Sequence, residues 1–294
     1  MLNTPVLFII FNRPEQTAET FHAIRAARPA RLFVSADGPR KNHPTDAANS
    51  SKCREIVKQV DWDCEVSYLF RDENMGCKLA VSGGITWFFE HVEQGIILED
   101  DCLPLPSFFS FCETLLERYK NDERIMHISG NNFQLGKQRG DASYYFSRFP
   151  HIWGWASWRR AWNKFDITMS AYPSLLNNPD FVKYVDNFIL PLTYSGQLNT
   201  WDSQWLCSVY ANNGISILPN TNLVRNTGFA AQGSTNTSEY PRWFGKLTYG
   251  DINEIVHPAG IKLNDAADLF TKRNILSSFR MRVKQKLRKL FRRI

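Results

Sequence analysis

The feature that most narrows the fold of this chain is the alternation of strand-like and helix-like segments through its first half. Residues 6–11 form a short continuous apolar run, residues 15–27 carry helical spacing behind Pro14, and residues 31–35 are again strand-like and end in Ala36-Asp37-Gly38-Pro39. The same punctuation predicts a helix over 46–60, a strand over 65–70, a helix over 78–91, a strand over 95–98 and a helix over 107–119. Strands alternating with helices predict an α/β fold whose mainly parallel sheet has helices on both faces. In such sheets ligands sit beyond the carboxyl ends of the strands. Those ends carry Asn12-Arg13-Pro14, Asp37-Gly38, Arg71-Asp72 and Glu99-Asp100-Asp101, a convergence of charge. The alternation weakens after about residue 128. Residues 130–260 are richer in aromatics, Asn and Gly, with one clear helix candidate at 201–211 and no flexible linker, so this half is expected to pack on the first as a subdomain.

Composition decides what the charges mean. The chain is 43% hydrophobic with 21 Phe, 10 Tyr and 9 Trp, which excludes disorder and supplies rings suited to stacking on sugars and bases. Its net charge of +6 resembles a nucleic-acid signature, but residues 280–294 hold eight Lys or Arg and no acid, leaving the body at −2. A mildly acidic body argues against a phosphate-backbone groove across the fold. The six cysteines contain no Cys-x-x-Cys pair, so neither a zinc knuckle nor a redox motif is indicated, and they read as free thiols. No basic leader or small-residue cleavage site opens the sequence, and nowhere do about 18 apolar residues run together. A reducing, cytoplasmic setting is the expectation.

Glu99-Asp100-Asp101 directly follows an apolar strand. Carboxylates in that position can hold a hard divalent cation together with waters and a diphosphate, or can cap and charge-match the helix that follows. Arg13 could make a charge-assisted contact to a phosphate, and Asp37 could accept from a uracil imide or a ribose hydroxyl.

The order of Phe11-Asn12-Arg13-Pro14, Ser35-Ala36-Asp37-Gly38, Asn74-Met75-Gly76-Cys77-Lys78, Ile97-Leu98-Glu99-Asp100-Asp101-Cys102-Leu103 and Trp201-Asp202-Ser203-Gln204-Trp205 resembles inverting glycosyltransferases of the glycosyltransferase-A fold. It is similar to bacterial relatives of the N-acetylglucosaminyltransferase I family and to family 2-like sugar transferases, over roughly residues 5–235. The resemblance implies a catalytic domain over 1–270, with about 1–130 binding a nucleotide sugar and about 131–270 forming the acceptor side. It implies Arg13, Asp37, Lys78, Glu99 and Asp100 as donor-binding residues. Asp101 becomes a ligand to Mn2+ or Mg2+, with His257 as a further candidate ligand. Asp202 becomes the general base that takes the proton of an acceptor hydroxyl. Trp153, Trp155 and Trp201 are expected to form a platform for the sugar or acceptor. Residues 233–237 resemble a loop that closes over the diphosphate, although related sequences place a His near Asn236 and this chain has none.

The activity implied is metal-dependent transfer of a hexose or N-acetylhexosamine from a nucleoside diphosphate, expected to be UDP, to a hydroxyl of a glycan or lipid-linked acceptor of the cell envelope. Two rivals remain: a noncatalytic nucleotide-sugar or carbohydrate-binding protein, and a nucleotidyltransferase. The second should carry a Gly- and Arg-rich triphosphate loop after its first strand, which Asn12-Arg13-Pro14 is not. Over 271–294, Leu276, Phe279, Val283, Leu287, Leu290, Phe291 and Ile294 recur at helical spacing among the basic residues. This predicts an amphipathic helix lying on an anionic membrane surface, which would place the protein at the inner face of the cytoplasmic membrane.

Overall fold

The alternation expected of the first half is the alternation observed. The computed structural model describes residues 1–229 and 241–276. The 233–237 loop and all but the first residues of the basic tail lie outside them. In chain order the elements are β1 (Val6–Ile10), α1 (Pro14–Ala27), β2 (Arg31–Ala36), α2 (Asp46–Val57), β3 (Glu65–Phe70), α3 (Gly76–His91), β4 (Gln94–Glu99), β5 (Cys102–Pro104) and α4 (Pro106–Arg118). They continue with β6 (Ile125–Ser129), β7 (Tyr144–Ser147), β8 (Trp155–Trp158), α5 (Arg159–Trp162), α6 (Tyr172–Leu175), α7 (Ile189–Tyr194), α8 (Asp202–Ala211), β9 (Ile215–Pro219), β10 (Val224–Asn226) and α9 (Asp265–Thr271).

One sheet of eight strands, ordered β3-β2-β1-β4-β8-β6-β9-β7, runs through both halves of the chain. Parallel pairing joins β3, β2, β1 and β4, and again β6 and β9. Only β8 and β7 run against the rest. The architecture is thus α/β with a mainly parallel sheet. The second half does more than pack on the first, because β7, β8 and β9 extend the same sheet.

Side chains of β1 show why helices must cover both faces. Val6, Phe8 and Ile10 enter one core with Phe21 and Ile24 of α1, Cys53 and Val57 of α2, and Phe108, Phe111 and Leu115 of α4. Leu7 and Ile9 enter the other, with Ile85 and Phe88 of α3, Trp162 of α5 and Trp205 of α8. A strand apolar at every position is stable only when both of its faces are covered. Each such fully buried side chain contributes about 1.5–3 kcal/mol, so neither layer of helices is dispensable.

The turn after β1 is the point that organises the site. Chain connections leave β1 toward β2 on one side while β4 pairs on the other, so the order of the sheet reverses between β1 and β4. A crevice opens at such a switch point. Into it project Phe11–Arg13 at the end of β1 and Glu99–Asp101 at the end of β4.

Candidate functional site

Pro14 occupies the first turn of α1, where its missing N–H costs nothing and its fixed φ suits the helix. This leaves only residues 11–13 between strand and helix, so Arg13 is held at the lip of the crevice with its side chain 14% exposed. It donates through Nη1 to Asp101 Oδ2 at 2.8 Å and through Nη2 to Asp100 Oδ1. Asp100 is buried, its Oδ2 accepts the Phe11 N–H at 3.3 Å, and its carbonyl accepts from Thr20 Oγ1 at 2.9 Å. The ends of β1 and β4 and the second turn of α1 are therefore tied through one residue. Burial, opposed by the Arg13 charge, holds the Asp100 carboxyl above its usual range. Burial and then repulsion from Asp101 and Asp100 push Glu99 well above the usual carboxylate range.

A cavity of about 480 Å³ lies over these strand ends, lined among others by Asn12, Arg13, Arg40, Asn74, Glu99 and Asp100. Asp37 is also in its wall, but its carboxylate is used by the protein. Oδ1 accepts from the N–H groups of Gly38 and Met75, both at 2.9 Å, and Oδ2 accepts from Asn74 Nδ2 at 2.9 Å and the Gly76 N–H at 3.1 Å. Asp37 thereby pins the start of α3 to the end of β2. Gly76 there has φ +76°, a left-handed conformation that glycine adopts without strain. From α3 the wall takes Gly76, Cys77, Ala80 and Val81. Lys78 does not face the cavity, and its backbone N–H is bonded to Asn199 Oδ1 at 3.0 Å.

That bond brings the start of α8 to the site. Asn199 lines the cavity, and three residues on, Asp202 accepts at Oδ1 from Thr200 Oγ1 and from the Ser203 N–H at 2.8 Å. Glu99 and Cys77 both feel the charge of Asp202. Burial, Glu99 and Asp202 together push the Cys77 thiol up to about 12, so it stays protonated. The ends of β1 and β4 and the starts of α3 and α8 thus converge on one place.

Two polar cavity residues, Arg40 and Asn199, were not singled out from the sequence. Arg40 grips Asp46, at the start of α2, through Nε at 2.6 Å and Nη2 at 3.0 Å, and Asn12 donates to the same carboxylate at 2.7 Å. An Arg and an Asp six residues apart in a turn carry no distinguishing pattern. Asn199 likewise sits in a polar stretch with no motif.

The tryptophans correct an expectation. Trp155 and Trp201 are 0% and 1% exposed and stack on each other at 5.8 Å within the core shared by α3, α5 and α8, so neither offers a face to a ligand. Trp155 is buried because its face of the sheet is covered by Ile85 and Phe88 of α3, Trp162 of α5 and Trp205 of α8. Trp153 is half-buried in a different cluster, 4.6 Å from Phe133, 5.4 Å from Phe229 and stacked at 6.1 Å on half-buried Trp243. Phe229 follows Gly228, whose backbone lies against Asp101: a Cβ there would stand 2.0 Å from Asp101 Oδ2 and 2.7 Å from Arg13 Nη1. This aromatic wall therefore abuts the acidic group.

The structure does not bring His257 to the acidic triplet. Its Nδ1 is 3.0 Å from Tyr144 Oη, which in turn meets Tyr119 Oη at 2.7 Å. The charge it feels is Arg118. The expectation that it ligates a metal beside Asp101 is corrected accordingly. For Asp101 itself the chemistry suits a hard cation: its neighbours in sequence are carboxylates, and one guanidinium bridges it to Asp100. Among the described residues, no three His, Cys, Asp or Glu side chains are grouped to hold a metal ion. Waters and a diphosphate would have to complete any coordination by Asp101 and Asp100.

No protein-family model and no curated protein matches the chain. Solved structures share weaker similarity. A UDP-glucose pyrophosphorylase complexed with UDP-glucose is 11% identical with a TM-score of 0.40, over 74% of this chain and 91% of that one. Residues 1–349 of TarS from S. aureus are 9% identical with a TM-score of 0.42, over 76% and 60%. A cytidylyltransferase from Leptospira borgpetersenii is 13% identical with a TM-score of 0.34, over 61% and 73%. Similarities this slight carry no argument, and function has to be read from the site. Among the described residues no helix is long and apolar enough to cross a membrane.

Proposed function

We propose that the chain is a glycosyltransferase that moves a sugar from a nucleoside diphosphate, UDP by expectation, to a hydroxyl of a glycan or lipid-linked acceptor with inversion. The observation that carries this reading is the cavity at the β1–β4 switch point, lined by Arg13, Arg40, Glu99 and Asp100 and large enough for a nucleotide. Cations in its wall suit a diphosphate. The short turn 11–13 between β1 and α1 has no glycine, so it supplies no triphosphate cradle, which favours glycosyl over nucleotidyl transfer.

In this mechanism Arg13 and Arg40 bind the diphosphate, and Asp37 keeps the start of α3 in place as a wall of the donor site. Asp202 uses Oδ1 to fix its own rotamer through Thr200 and Ser203 and leaves Oδ2 to accept the proton of the incoming hydroxyl. Single displacement needs one base and no enzymatic nucleophile. A divalent cation, held by Asp101 and Asp100 when bound, would neutralise charge on the departing diphosphate. The aromatic wall of Trp153 and Trp243 suits the acceptor side.

The test is Asp202→Asn, assayed with a panel of nucleotide sugars. Donor affinity by titration calorimetry should hold while turnover falls by roughly 10²–10⁴-fold, the usual worth of a general base. Near-normal turnover would remove Asp202 from the chemistry, and no affinity for any nucleotide sugar would remove the reading altogether.

A further inference from the structure

Arg13 is placed where two roles collide. Its guanidinium spans two separate carboxylates, Nη1 on Asp101 Oδ2 and Nη2 on Asp100 Oδ1, and because Asp100 Oδ2 already accepts the Phe11 N–H, a divalent cation bridging the pair would need the Asp100 oxygen that the guanidinium holds. The backbone of Gly228 closes the space beside them, since even one added carbon there would stand 2.0 Å from Asp101 Oδ2. A metal ion bridging the pair and the guanidinium compete for that Asp100 oxygen. Arg13 also lines the cavity, so a guanidinium released from the acids has somewhere charged to turn.

We propose that Arg13 is a resident counter-ion of the Asp100–Asp101 pair, which a divalent cation displaces, and that the displaced guanidinium turns into the cavity to meet the diphosphate. The second half rests on the nucleotide-sugar reading above. The arrangement makes Arg13 a binding residue that couples two bindings: cation arrival frees the group that phosphate needs, and by linkage nucleotide raises cation affinity by the same factor. Before either arrives, the buried acids keep a partner, and without one they would pay a heavy desolvation penalty. Planar, two-pronged geometry explains why the residue is arginine, because an ammonium is a point charge that does not bridge two carboxylates in this way.

The experiment is calorimetric titration of the full chain with Mn2+ alone, for the native protein, Arg13→Gln and Arg13→Lys, followed by UDP with and without Mn2+. Near-UV circular dichroism establishes that each variant is folded. Removing the competitor should make Arg13→Gln bind Mn2+ at least about tenfold tighter, with Arg13→Lys between it and the native protein. The gain in UDP affinity caused by Mn2+ should shrink in Arg13→Gln. Mn2+ affinity that is unchanged or weaker in the folded Gln variant overturns the proposal, as does absence of Mn2+ binding throughout. If the Gln variant does not fold, the Lys variant decides, tighter Mn2+ binding supporting displacement and equal binding overturning it. UDP binding by none of the three would overturn the nucleotide reading and the hand-over to phosphate, while the Mn2+ series still decides the competition.

Discussion

His127 is a residue whose protonation state is set entirely by its surroundings. It is fully buried, its Nε2 faces the His151 carbonyl at 2.9 Å and its Nδ1 accepts from Trp205 Nε1 at 3.2 Å. That pairing assigns a neutral ring protonated on Nε2, stacked on Trp155 at 5.0 Å. Burial lowers its pKa to about 3, from 6.5 in an open chain. Below pH 6.5 the unfolded chain takes up a proton that the folded one refuses, so stability is lost as pH falls from about 6.5 toward about 3. The loss from this group is at most about 1.4 kcal/mol per pH unit. Urea unfolding at pH 7.5 and 5.0 should show it, and His127→Gln should reduce the difference, leaving the share of His151, which burial also lowers to about 3. An equal difference in both proteins would assign the acid sensitivity elsewhere.

At the scale of elements, Asp37 shows how one side chain can fix the start of a helix. Four donors from residues 38 and 74–76 converge on it and set where α3 begins. Asp37→Asn turns one acceptor oxygen into a donor facing donors, a loss of roughly 1–3 kcal/mol for a buried unsatisfied group. It should lower the melting temperature, speed amide exchange at 75–78 and weaken nucleotide binding together. Weakened binding with an unchanged melting temperature would mean that Asp37 acts on the nucleotide alone. The same element shows what was legible in the sequence. β1, β2 and β4 announce themselves as apolar runs because they are covered on both faces, and the charged residues after them share a cavity because parallel strands deliver their carboxyl ends to one side. β8 gave no such signal: it is four residues long, and its burial depends on partners far away in the chain. Trp155 therefore looked like a surface platform, the Arg40–Asp46 pair carries no distinguishing pattern, and Asn199 was invisible because only tertiary packing brings it to the cavity.

For the whole molecule, the division of charge suggests an orientation. With residues 280–294 removed, the body is at −2, so attraction to an anionic surface has to come from the tail. Each cation near such a surface contributes about 1 kcal/mol, screened by salt. The full chain should co-sediment with acidic liposomes, progressively less as salt rises, and a chain ending at Asn274 should remain in the supernatant. Equal sedimentation of both would place the membrane contact elsewhere, and tight salt-sensitive RNA binding without liposome binding would assign the tail to nucleic acid. Continuity of the sheet has a consequence for how the molecule is made. The outer edge of β4 is paired only by β8, in a register that joins Gln94 to Trp158. A chain emerging from the ribosome must thus add roughly 60 residues before that edge is closed, and contacts at such separation slow folding. During that interval an apolar strand that borders the cavity stands open to other chains, which makes synthesis, rather than the finished molecule, the stage at which this protein is most exposed to aggregation.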